Sequence, residues 1–185
     1  MALTLVKEDG TGRGNANTYV DVADGDAYFQ GHLYASPWTT ASADSKAAAL
    51  VMATRLLDSQ FQFCGFRAHS DQALQWPRTE CPDPDRGMVT LSALQPYLSN
   101  FVPYDQVPRA MIQATCEMAR ELLIVDRTAA PDGEGIAQFG ISGGVSVTFD
   151  KADRRAVVPP LVVAMLAKFG CLVGAGSGAV RLRRT

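Results

Sequence analysis

Long apolar runs, histidine, clustered cysteine and surface charge are all scarce in this sequence, and each shortage removes a class of function. No stretch of roughly 18 consecutive apolar residues occurs, so no segment reads as a membrane-spanning helix. The start, Met1 to Glu8, lacks the charged and apolar regions of a secretory signal, so a soluble, cytosolic chain is expected until it is assembled into something larger. Only two histidines are present, His32 and His69, and neither has a Cys, Ser or acidic neighbour in a nucleophile–base pattern, so both read as surface or packing residues. Four cysteines, at 64, 81, 116 and 171, have no Cys-x-x-Cys spacing and read as reduced, small hydrophobes. Asp83-Pro84-Asp85-Arg86-Gly87 faintly resembles a calcium loop, but Pro82, Pro84 and the missing closing glutamate make it a turn. The glycines of Gly10-Thr11-Gly12-Arg13-Gly14 lack the strand before and the Lys-Ser/Thr after that a phosphate loop requires, so this segment is expected to be a flexible loop. The chain is therefore not expected to be an enzyme: no catalytic residue, cofactor or metal site stands out.

What remains is a chain of 185 residues with 47% apolar content, enough for one domain with a core. Charged residues make up 19%, aromatics 8%, and the net charge is −2. A slightly acidic surface is a poor match to a protein whose main task is coating nucleic acid. Low surface charge also suits a chain that covers part of its surface with partners.

Periodicity points to a mainly α fold, a small bundle of about four helices. Leu3 to Val6 reads as a short strand. A first helix is expected from about Val20 or Asp21 to His32, capped by Thr18, with Val20, Ala23, Ala27 and Tyr28 inward. A second runs from about Ser42 to Gln60, with Ala49, Leu50, Ala53, Leu56 and Leu57 on one face and Arg55, Asp58 and Ser59 turned away. A third, about Asp105 to Asp126, places Met111, Ile112, Thr115, Met118, Ala119, Leu122 and Leu123 in one stripe. Arg109, Gln113, Glu117 and Arg120 form the opposite stripe. A last helix starts at Pro159-Pro160 and runs to about Phe169; its Leu161 to Ala167 is apolar all round and predicts burial all round. Before it, Ile136 to Ser142 and Val145 to Phe149 flank Gly143-Gly144, the pattern of a β-hairpin with a two-residue turn. Phe61 to Asn100 is rich in glycine and proline and reads as mostly irregular, with a short helix at Leu91 to Leu98. The domain is expected to span 1–173, with an irregular insertion at about 81–103 and the hairpin at about 136–149, followed by an extended arm at 174–185.

Two segments carry functional weight. Trp76-Pro77-Arg78 sets a large aromatic beside a cation on a turn whose backbone proline restricts. Two readings stand: Trp76 caps the helical core while Arg78 pairs with a carboxylate, or the three residues anchor a neighbouring subunit, since Trp and Arg dominate interface hot spots. The C-terminal segment joins a tether, Gly174 to Gly178, to Val180-Arg181-Leu182-Arg183-Arg184, which combines charge with an apolar residue. It reads either as a frayed end or as a docking arm that orders on a partner.

An ordered set of elements carries a resemblance: Asn15 to Tyr19, then Ala27-Tyr28-Phe29, Trp38, the Ala47 to Thr54 helix, the Gln72 to Arg78 turn, Val107-Pro108-Arg109-Ala110 and Cys116 to Ala119. Over roughly residues 15 to 170 it resembles the head–tail adaptor, or head-completion, family of tailed bacteriophages, some of whose members carry a DnaT-like single-stranded-DNA-binding label. The pattern departs from that family at the insertion. The resemblance implies a structural protein of the virion neck, in the host cytoplasm before assembly. Copies would form a ring, twelve-fold by analogy, beneath the portal protein. It would extend the DNA channel, let phage DNA pass without sequence-specific binding, and receive a tail-completion, tail-terminator or nozzle protein. By the same resemblance Val180 to Arg184 would dock on the portal. The alternative is a single-stranded-DNA-binding replication accessory protein, a task that calls for basic grooves with aromatic stacking platforms.

Overall fold

A computed structural model describes residues 3–83, 85, 101–129, 138–141, 145–148 and 155–174, and within them the chain is mainly α. The N-terminal segment forms no strand; it is held by a single bridge between Lys7 and Thr18 and by Val6 N–H, which donates to Asn17 Oδ1 at 2.8 Å. The first helix, α1 (Val22–Phe29), is capped by Asp21 rather than Thr18. Asp21 accepts from Asp24 N–H at 2.8 Å, and Asp24 reaches back to Asp21 N–H, a reciprocal capping box. Thr18 instead donates its hydroxyl to Val20 O. The inward face also differs from the expected one: Ala23 and Ala27 are exposed, while Gly25 and Phe29 are buried. The cause is Trp38 on the short α2 (Ser36–Thr39), which lies so close that a Cβ at Gly25 would stand 2.5 Å from its ring.

Ser42 caps α3 (Ala43–Gln60) by accepting from Ser45 N–H. Its predicted apolar face is buried, and Arg55 and Ser59 are exposed as expected. Asp58, expected to turn away, is instead drawn into a hydrogen-bond network. The principal partner of α3 is α4 (Arg109–Ile124), preceded by Pro108 at the cap position. Met111, Ala114, Thr115, Met118 and Ala119 bury the facing stripe, and small residues on both helices allow close approach. The buried hydroxyls of Thr54 and Thr115 each donate to the carbonyl four residues back, so neither is left without a partner. Glu117 departs from the sequence reading: it is 2% exposed rather than part of a solvated stripe.

Among the described residues there are three two-stranded antiparallel sheets. α3 runs directly into β1 (Phe61–Phe63), and a turn leads to β2 (Phe66–Arg67), which pairs with β3 (Arg78–Thr79). Residues 61–79 of the stretch expected to be mostly irregular are thus pinned by short ladders. The hairpin comprises β4 (Gln138–Ile141) and β5 (Val145–Thr148); its register pairs Ile141 with Val145, so the connection spans 142–144 and is one residue longer than expected. The last helix, α5 (Pro160–Leu166), is shorter than predicted and packs on α4 by one face. Val162 and Leu166 are buried, but Leu161 is 50% exposed and Ala164 is also exposed, so burial all round is not found. Gly170 opens β6 (Gly170–Leu172), which returns to pair with β1. The sequence carried little warning of β6, because three residues after an apolar helix show no period.

The two ends of the predicted insertion meet, with a bridge between Pro82 and Phe101 and with Val102 N–H donating to Cys81 O at 2.9 Å. The insertion's interior, the helix expected at Leu91 to Leu98, and Val180 to Arg184 lie outside the described residues.

Candidate functional site

The 64–79 segment holds two buried polar side chains, Gln72 and Arg78. Pairing of β2 with β3 sets Arg67 opposite Arg78 and closes residues 68–77 into a loop. Gln72 stitches that loop from inside. Its amide nitrogen donates to Leu74 O at 2.7 Å and Pro77 O at 3.1 Å, and its amide oxygen accepts from His69 N–H at 2.9 Å. The Trp76–Pro77 peptide is cis.

Arg78 is 7% exposed and finds no carboxylate; backbone oxygen surrounds it. Nε donates to Cys64 O at 2.7 Å, one terminal nitrogen to Gln75 O and Oε1, and the other to Gly65 O at 2.7 Å and Phe63 O at 3.3 Å. Five donors in a planar fork let one side chain satisfy the carbonyls of two separate turns. Trp76 is fully buried and meets Phe63 and Phe169 edge to face, with centroids 5.7 and 5.8 Å away. Its indole N–H is buried without a partner. Its backbone N–H donates to the Tyr19 hydroxyl, which in turn donates to Asp58 Oδ1 at 2.6 Å, while Gln75 N–H donates to Asp58 Oδ2. Burial pushes the Asp58 carboxyl up to about 6, against the pull of the Tyr19 and Gln75 hydrogen bonds. Trp76, Pro77 and Arg78 thus face the protein's interior, and the loop they hold offers His69, Ser70, Asp71 and Ala73 to solvent.

A second buried charge sits on α4. Glu117 Oε1 accepts from the Tyr28 hydroxyl at 2.8 Å and lies 3.2 Å from His32 Nε2, and Oε2 accepts from Arg120 Nε at 3.1 Å. Arg120 and Arg127 both reach Glu121, and Arg127 donates to Ala156 O, so one polar chain links α1, α4 and the segment entering α5. His32 therefore does have an acidic partner, invisible to local pattern because it lies far away in sequence. Burial first, then Glu117, holds the Tyr28 hydroxyl well above its usual range.

The glycine segment is not a loose loop. Glu8 is 1% exposed, and its carboxylate accepts backbone N–H groups from Gly10, Gly12 and Arg13 at 2.8–2.9 Å. A cradle of this kind binds anions elsewhere, and here an internal carboxylate fills it. Gly10 adopts φ +100°, and a Cβ there would stand 2.0 Å from Asp105 O, so the packed loop depends on glycine.

Among the described residues the surface offers exposed aromatics, Tyr34, Phe66 and Tyr104, and exposed arginines without an ion pair, Arg55, Arg67, Arg109 and Arg155. Lys7, Arg13, Lys46, Arg120, Arg127 and Lys168 all pair with carboxylates, and Arg78 is interior. Among the described residues, no group of three or more His, Cys, Asp or Glu is placed to hold a metal ion, and no helix is long and apolar enough to cross a membrane.

Residues 3–185 match the model of a protein family described as "Putative DnaT-like ssDNA binding protein". No curated protein and no solved structure matches the chain.

Proposed function

Because the chain belongs to this DnaT-like single-stranded-DNA-binding family, we propose for it a structural role among DNA-handling proteins: a head–tail connector adaptor of a tailed phage. The observation that carries this reading is the pairing of the described cations. Six of the eleven described cations pair with neighbouring carboxylates, Arg78 is interior, Arg55, Arg67, Arg109 and Arg155 are exposed and scattered, and the net charge is −2, a surface that favours DNA sliding over sticking. The ordered resemblance over residues 15 to 170 supplies the rest. In this reading α3 and α4 build the wall of a ring below the portal. The Trp76-Pro77-Arg78 turn serves the subunit interface indirectly, by fixing the exposed 69–73 loop. Val180 to Arg184 dock on the portal, and the tail-side partner is a completion, terminator or nozzle protein. The protein acts without enzymatic chemistry, in the host cytoplasm and then in the virion neck. Electron microscopy of the protein mixed with its portal is expected to show a ring on the portal. Deleting 174–185 is expected to abolish it while leaving the melting temperature nearly unchanged. Equal attachment by truncated and full-length chains defeats the docking-arm part.

The family description itself favours a second reading, single-stranded-DNA binding. Tyr34, Phe66 and Tyr104 are exposed and fit as stacking platforms, and Arg181, Arg183 and Arg184 supply positive charge. Fluorescence anisotropy with a labelled oligonucleotide separates the two. The adaptor predicts weak binding that vanishes near physiological salt. A sub-micromolar dissociation constant there selects the DNA-binding reading instead.

A further inference from the structure

Two of the four cysteines are exposed, Cys64 and Cys171, and the fold brings them together from 107 positions apart (171 − 64). Pairing of β1 with β6 sets Gln62 opposite Cys171, and Cys64 N–H extends the ladder by donating to Phe169 O at 2.8 Å. In that register Cys64 and Cys171 are diagonal neighbours, and both are exposed. Both line the same open depression of about 490 Å³, with Gln62, Phe63, Ala167 and Gly170. The other two thiols differ in kind: burial pushes Cys81 up to about 11 and Cys116 up to about 12.

Geometry decides what such a pair can hold. Diagonal neighbours in an antiparallel sheet stand roughly 7–8 Å apart, somewhat less between Cβ atoms. A disulfide needs Cβ atoms about 3.8 Å apart, so a direct bond requires the backbone to shift. A bridging ion adds two metal–sulfur bonds of about 2.3 Å each and spans the gap with both strands in place. Zinc calls for four donors, and no third His, Cys, Asp or Glu joins the two thiols among the described residues. Two thiolates without further donors suit a soft cation that accepts linear coordination. We propose that Cys64 and Cys171 form a two-thiolate site for a copper(I)-class cation, which clamps β6 to β1. On binding, each S–H loses its proton to solvent as its sulfur–metal bond forms, and nothing is oxidised.

The test is an anaerobic titration of the full chain with copper(I), delivered from a bathocuproine disulfonate complex that reports its loss by colour. One ion per chain is expected. Cys64→Ser and Cys171→Ser should each weaken binding by more than the roughly 10–100-fold that a supporting residue costs. Neither substitution should change the melting temperature of the metal-free protein, because both side chains are exposed. Full-affinity binding in either variant overturns the site, as does one ion per two chains with dimerisation, since the thiols would then come from different copies. A two-dalton mass loss within single chains under a mild disulfide oxidant overturns it too, because it shows the thiols close enough to bond directly.

Discussion

Arg78 and Glu117 are both buried charges, yet the fold handles them in opposite ways. Arg78 is solvated by backbone carbonyls and one amide, with no counter-charge in its shell. Glu117 is solvated by side chains: Tyr28 on α1, His32 just beyond α1, and Arg120 on α4 itself. The first charge defines the backbone path around it; the second joins elements already formed. A group that satisfies main chain is hard to replace, because loss leaves several carbonyls without donors at once. A group that satisfies side chains can be exchanged with repacking.

The sharpest way to break this comparison is to remove each charge at nearly constant size. Arg78→Met is expected to destabilise by about 3–5 kcal/mol, the sum of several buried acceptors left unpaired, and denaturant titration measures it. Trp76→Ala should cost a similar amount, about 3–5 kcal/mol, through the cavity left among Phe63 and Phe169. An unchanged unfolding midpoint in either variant removes the turn from the core.

Asp58 lies on the same network and adds a pH signature. Its unfolded carboxyl ionises near 3.8 and its folded one near 6, so between those values the folded state holds the extra proton. Stability should therefore fall as pH rises from about 4 to 6, by about 2–3 kcal/mol at most from this group. That component should be missing from Asp58→Asn, and parallel pH profiles for the two proteins would assign it elsewhere. Carboxyls held low, such as Asp24 and Asp26, act with the opposite sign and only below their ordinary range.

Glu117→Gln retains an acceptor for Tyr28 and is expected to cost less than Arg78→Met, about 1–2 kcal/mol. If it costs as much, the contrast between main-chain and side-chain solvation fails. Smallest of all should be Lys7→Gln, within about 1 kcal/mol, because Lys7, Asp21 and Asp24 meet water on one side.

Helix α3 and the hydrophobic stripe of α4 were legible in the sequence because a 3.6-residue period is a local property. The hairpin was legible for the same reason, through alternation around glycines. Asp58 and Glu117 were misread, and the glycine segment read as a flexible loop, because a charged residue declares its solvation only through its partners in space: Tyr19 and Gln75 for Asp58, Tyr28 and His32 for Glu117, and the amides of Gly10, Gly12 and Arg13 for Glu8. The Trp76-Pro77-Arg78 turn was visible as unusual, but whether it faces in or out depended on β1 and β6, neither of which has enough residues to show a pattern. No periodicity marked Cys64 and Cys171 as neighbours.

The β1–β6 ladder also sets a timetable. Gln62 must wait for Cys171, 109 positions later (171 − 62), before its strand has a partner. At about 5–20 residues per second of synthesis, that delay is roughly 5–20 s. Throughout it Phe61 and Phe63, buried in the finished protein, have neither a paired strand nor Phe169 beside them. The interval is long compared with the helix–helix collapse of α3 on α4, which needs only a chain reaching Ile124. A nascent chain should thus hold a formed helical pair with one sticky strand edge. Chaperone capture or premature self-association would be concentrated there, on a surface absent from the mature protein.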